Sequence, residues 1–112
     1  MTVVDDPQPE IRTRVIEALS HFRDLQIIPI FLTALQDTHA QVRQEAVIAC
    51  GVRGKDGDPE AVVSALKPLL YDINLDICSH CASALGKIGT ATAMTALAEG
   101  LDSAVTPTTL KQ

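Results

Sequence analysis

Asp37-Thr-His-Ala-Gln-Val42-Arg43-Gln-Glu-Ala46-Val-Ile-Ala49-Cys50-Gly51 decides the fold, because the chain writes this stretch three times. The first version is Asp6-Pro-Gln-Pro-Glu-Ile11-Arg12-Thr-Arg-Val15-Ile-Glu-Ala18-Leu19. The third is Asp72-Ile-Asn-Leu-Asp-Ile77-Cys78-Ser-His-Cys81-Ala-Ser-Ala84-Leu85-Gly86. The copies begin 31 and then 35 residues apart, and a recurring period of roughly 20 to 50 residues marks a repeat architecture. The longer second interval is assigned to Gly51-Val-Arg-Gly54-Lys-Asp-Gly57-Asp58, where three glycines are expected to end a helix and lengthen the loop.

Within each copy the apolar residues recur at i, i+4, i+7 and i+8: Ile11, Val15, Ala18, Leu19; Val42, Ala46, Ala49, Cys50; Ile77, Cys81, Ala84, Leu85. That spacing places them on one helical face. Asp6 before Pro7, the Thr38 and Gln41 capping-box pair, and Asn74 supply start signals for the three helices. Second helical stretches lie between, with Asp58 capping one of them. The expected helices span about 7–22, 25–36, 39–51, 59–71, 74–88 and 90–101, followed by a tail over 103–112 that Pro107 keeps from opening another helix. Pro29 falls in a first turn, where it is tolerated, whereas Pro68 removes a backbone bond to Ser64 and predicts a kink. One helical pair cannot bury its apolar stripe alone, so the pairs stack on a shared core. The fold expected is all-α, a short α-solenoid of about three helical-hairpin repeats and six helices in a single domain over residues 1–112.

Composition narrows the function. The chain has 112 residues, nine basic against fourteen acidic, for a formal charge of −5. At this size a core forms without disulfides or metal. No apolar run reaches the roughly 18 residues of a membrane span, and the N-terminus lacks the pattern of a signal peptide. Three cysteines at irregular spacing fit a reducing compartment, so a soluble, cytoplasmic protein is expected. The chain has no Trp, and its aromatics are Phe22, Phe31 and Tyr71, too few for a nucleic-acid stacking platform; the negative charge disfavours phosphate backbones.

Leu35-Gln-Asp37 followed by Val42-Arg43-x-x-Ala46-x-x-Ala49-Cys50-Gly51, with echoes at Leu70-Tyr-Asp72 and Ile77 to Gly86, resembles HEAT repeats of the phycobilisome-lyase-like type over about residues 5–102. Repeats of this kind occur in scaffolds, in bilin lyase subunits and their relatives, in iron–sulfur assembly helpers and in a hydroxylase built on His-Glu pairs. The last pattern is missing, since none of His21, His39 and His80 is followed by Glu. The resemblance implies that Asp6, Arg12, Asp37, Arg43 and Asp72 belong to a ladder joining adjacent repeats. That ladder stops at Cys78, leaving Asp72 with helix amides or Arg43. A partly buried rung contributes about 1 kcal/mol.

Cys78 and Cys81 lie about 60° apart on a helical wheel but His80 about 200° from Cys78, so one helix cannot bring all three to a metal. Cys50 and Cys81 occupy core positions, and Cys78 is the thiol expected to be partly accessible. Asp56-Gly-Asp58-Pro-Glu60 has acidic oxygens at alternate positions, but Pro59 interrupts a calcium loop and Asp58 reads as a helix cap. No catalytic residue, cofactor or metal is assigned.

The remaining surface of the Arg-containing helices forms three rows: Glu10, Thr13, Arg14, Glu17 and His21; Gln41, Gln44, Glu45 and Ile48; Asp76, Ser79, His80, Ser83 and Lys87. The resemblance implies that this helix class lines the concave side of the solenoid, the surface such proteins use for binding. Ile48 is the aliphatic exception and the expected anchor. The leading expectation is a non-enzymatic scaffold that holds a protein partner, basic or mixed in charge, on this face. The alternative is a subunit or relative of a phycobilin lyase, with Arg14, His21, His80 and Lys87 as the groups for tetrapyrrole propionates. Apolar residues at the first helix point to a fragment of a longer array or to an oligomer that shields an open end.

Overall fold

The structure, a computed structural model, describes the backbone of residues 8–111 and the side chains of residues 8–101. The helices are α1 (Pro9–Leu19), α2 (Ile28–Ala34), α3 (Ala40–Arg53), α4 (Pro59–Leu66), α5 (Leu75–Ile88) and α6 (Ala91–Lys111), with 3₁₀ turns at Leu25–Ile27 and Lys67–Tyr71. No strand occurs among the described residues. α3 packs between α1 and α5 in one layer, with α2 behind α3, and α4 and α6 behind α5. The chain is therefore a short α-solenoid.

Local sequence accounts for most of the helix starts. Pro9 opens α1, where its missing N–H has no helical partner to lose. Asp24 accepts from the Gln26 amide at 2.9 Å and starts the turn that leads into α2, with Pro29 in that helix's first turn. Asp58 Oδ1 accepts from the amides of Glu60 and Ala61 at 3.1 and 3.3 Å. Asn74 Oδ1 does the same for Asp76 and Ile77 at 2.9 and 3.3 Å. Each satisfies two of the amides that a helix leaves unpaired at its start. At Pro68 the α-helix gives way to a 3₁₀ turn, the local answer to the lost Ser64 bond.

Several expectations need correction. The Thr38–Gln41 capping box does not form: the N-cap of α3 is His39 without a side-chain cap, and the Thr38 hydroxyl lies 3.2 Å from His39 Nδ1 instead. The Asp6 and Pro7 start signal lies outside the described residues. Gly51 does not end its helix, because it is buried and packed on α5: a Cβ there would stand 3.0 Å from both Cα and Cβ of Ala84. The helix runs on to Arg53, and Gly54 follows, where a Cβ would collide with the Cys50 carbonyl oxygen. The expected break before a tail at 103–112 is also absent, since the α6 backbone is helical to Lys111 through Pro107. A proline inside a helix removes one backbone bond, and the bonds on either side of it carry the helix across.

The core is made of Val42, Ala46, Val47, Ala49 and Cys50 from α3 and Ile77, Cys81, Ala84, Leu85 and Ile88 from α5, together with Phe31, Leu66 and their neighbours. In α1 the expected stripe is not the buried one. Ile11 and Ala18 are exposed, Val15 and Leu19 are half-buried, and the buried residues are Arg12 and Ile16. Ile16 is the repeat equivalent of Val47. α1 stands at one end of the described stack, so only its side toward α3 is covered.

Candidate functional site

The charged residues between repeats form the ladder the repeat implies. Arg12 donates from Nε to Asp37 Oδ2 at 2.9 Å and from Nη2 to Asp37 Oδ1 at 3.0 Å, a bidentate pair joining the first repeat to the second. The next rung joins Arg43 Nε to Asp72 Oδ2 at 3.5 Å. Each Asp also turns the chain into its own helix: Asp37 accepts from the His39 amide at 2.9 Å and Asp72 from the Asn74 amide at 2.8 Å. Arg43 Nη1 donates to the Asp37 carbonyl at 2.8 Å. Cys78 stands at the Arg position of the third repeat and keeps that second role, its thiol donating to the Asp72 carbonyl at 2.8 Å. Burial acts to raise the Asp37 carboxyl, but the Arg12 hydrogen bond, the His39 amide and the charges of Arg12 and His39 outweigh it and hold it below the ordinary aspartate value.

Arg53 is a cross-repeat tie that the sequence did not disclose. Its Nε donates to the Ser20 carbonyl at 2.7 Å, capping the end of α1 from α3, and its guanidinium lies 3.6 Å from Asp56. The thiols divide as their positions suggest. Cys50 and Cys81 are buried, each pushed up to about 12 by desolvation and then by a neighbouring cysteine, and Cys81 donates to the Leu66 carbonyl at 3.1 Å. Cys78 is partly accessible. No three His, Cys, Asp or Glu side chains are grouped to hold an ion among the described residues.

The three polar rows lie side by side on the outer faces of α1, α3 and α5. Glu10, Thr13, Arg14 and Glu17 of α1 line a shallow groove of about 310 Å³ with Gln41 of α3. Ile48 and Gly51 of α3 line a second, of about 300 Å³, with His80, Ser83, Ala84 and Lys87 of α5. These volumes sit at the small end of ligand pockets, about 300–1,000 Å³, and suit individual side chains. Glu45, half-buried between the grooves, is pushed up by desolvation and then by the charge of Glu17, against a lowering by His80. One carboxylate thus lies within electrostatic reach of a residue on each neighbouring row.

Not every row member joins the grooves. Gln44 is half-buried beside Glu45, Asp76 and Ser79 are exposed on the first turns of α5, and His21 is exposed in the turn beyond α1. Thr13 donates its hydroxyl to the Pro9 carbonyl at 2.9 Å. Ile48 is half-buried against α5 rather than standing free among polar neighbours. On the opposite layer Glu60, Val63, Ser64, Lys67, Thr92 and Thr95 line a groove that sequence reasoning did not single out, closed at one side by a 2.6 Å bond from the Thr92 hydroxyl to Glu60. Among the described residues no helix is long and apolar enough to cross a membrane.

Comparison with known proteins gives one family. The model for HEAT repeats matches residues 2–78 and again 28–110. No curated protein matches the chain.

Proposed function

The chain belongs to the HEAT-repeat family, and from that premise we propose that it is a non-enzymatic scaffold which holds a protein partner on the joined outer faces of α1, α3 and α5. HEAT repeats generally mediate contacts between proteins. The observation that carries the reading is the pair of grooves between consecutive helices, with Glu45 coupled to both sides. Glu45 makes no ion pair among the described residues, and it stands beside Glu17, so a cationic side chain from the partner relieves a repulsion already present. The adjacent Ile48 groove offers apolar contact with Lys87 at its edge, which favours a partner of mixed charge with a net positive segment.

The test is affinity capture of the partner with the native chain and with Glu45→Lys and Ile48→Glu. Loss of the same band in both variants, with helical content unchanged, supports the face; retention in both removes it.

A second reading, a relative of the phycobilin lyases, draws on the likeness of the repeat sequence and on His80 and Lys87 lining one groove beside Ile48, two basic groups suited to propionates. Titration with phycocyanobilin separates the two. A saturable red shift that Lys87→Ala weakens favours the lyase reading, and an unchanged spectrum favours the scaffold.

A further inference from the structure

The interface between the second and third repeats is built of knobs and holes. The knobs are Ala84 and Ile88 of α5, and the holes are Gly51 and Gly54 at the end of α3. A Cβ on Gly51 would stand 3.0 Å from Ala84 Cβ, and one on Gly54 would stand 2.9 Å from Ile88 Cδ1. The first interface uses the same positions with other chemistry. Arg53 there occupies the place of Ile88, and Ser20, whose carbonyl it takes at 2.7 Å, occupies the place of Gly51.

Carried one repeat further in each direction, the pattern reaches two open surfaces. The knob positions become Ala18, exposed on α1, and Phe22, 58% exposed in the turn after α1, beside the partly exposed Ile11 and Val15. The hole position becomes Gly86, exposed beside the half-buried Ala82, where a Cβ would meet nothing within 4 Å; Gly89, at the place of Gly54, instead ends α5 in the left-handed conformation at φ 67°. One end of the stack thus offers bulk and the other offers room, and Ala84 and Gly51, the counterparts of Ala18 and Gly86, meet inside the chain.

We propose that the α5 face around Gly86 receives the α1 face around Ala18 and Phe22 of a second copy of this chain, continuing the internal interface head to tail. The occupant is a second copy because both halves of the contact are present on one molecule and are related by the repeat that already joins them. Such an interface is heterologous, so each added copy leaves a free end and the assembly is open. The ladder contributes no rung on this side, since Cys78 replaces the arginine. Association therefore rests on apolar contact and persists at high salt.

The test is sedimentation equilibrium of the 112-residue chain up to about 1 mM, a range that registers weak association, with the variants Ala18→Arg and Gly86→Arg. Both substituted positions are exposed, so helical content by circular dichroism stays at the parent value. The parent is expected to rise with concentration beyond twice the 12.0 kDa of one chain. Each variant alone is expected to stay at 12.0 kDa, and an equimolar mixture to form a 1:1 dimer that grows no further, because each variant keeps the face the other has lost. A parent that remains monomeric throughout overturns the proposal and gives these faces to another occupant. An associating parent whose mixed variants stay monomeric overturns it as well.

Discussion

Arg12 sets two N–H groups on a carboxylate that is only 16% exposed, and its own side chain is 10% exposed. Truncating it leaves Asp37 largely buried without its cation, so Arg12→Ala is expected to cost about 2 kcal/mol in denaturant unfolding, more than an exposed pair would. Because the Asp37 carboxyl is held below its unfolded value, the unfolded chain takes up the proton first. The contribution of Asp37 is thus fully present above about pH 4 and is lost as pH falls through the lower folded value. The acid limb of a stability profile should flatten in Asp37→Asn. Glu45 works in the opposite sense: raised in the folded state, its ionised form is a cost that develops as pH rises through the ordinary glutamate value. Glu45→Gln should therefore stabilise at pH 7 and not at pH 3, by no more than about 0.5 kcal/mol, since water and salt screen a half-exposed group. The ladder was legible in the sequence because opposite charges recur at fixed offsets. Arg53 was not, because its partner is a backbone carbonyl 33 residues away, and a carbonyl has no residue type to read.

At the level of helices, the caps separate into those whose side chains hold amides, such as Asp58 and Asn74, and those that do not, such as His39. Asn74→Ala and Asp58→Ala should each lower stability by about 1 kcal/mol in thermal unfolding, while Thr38→Ala should leave it nearly unchanged, since the α3 start takes no bond from that side chain. Ala49 is fully buried in α3, and Ala49→Leu should destabilise by about 1–3 kcal/mol through overpacking. A variant as stable as the parent would mean that this helix face has room the structure denies. Helix existence was readable from apolar spacing and from Asp, Asn and Pro at the starts. Helix ends were less so. A glycine reads as a stop from sequence, yet Gly51 is needed where two helices cross closely, and only the position of Ala84 distinguishes the two uses.

Seen whole, the molecule is a stack whose interior interfaces resemble one another and whose ends differ from them. Periodicity told which side of each helix was apolar but not whether a neighbour stood on that side, which is why Ile11 and Ala18 read as core and are exposed. The candidate face was legible for a similar reason: residues left over after the stripe is removed must share a surface once the helices stack. Their grouping into two grooves was not, because it depends on how far each helix slides along the next. Ile48→Glu should cost about 1 kcal/mol or less, being half-buried, while abolishing capture of a partner that uses the second groove. The three thiols add a practical consequence. With Cys50 and Cys81 sealed in the core and their protons held to about 12, a maleimide dye at pH 7 should attach once, at Cys78, and three times after denaturation. The chain thus carries its own single attachment point on α5, the helix that bears Gly86, and a fluorophore there would report by a change in emission when molecules meet, without any engineering of the sequence.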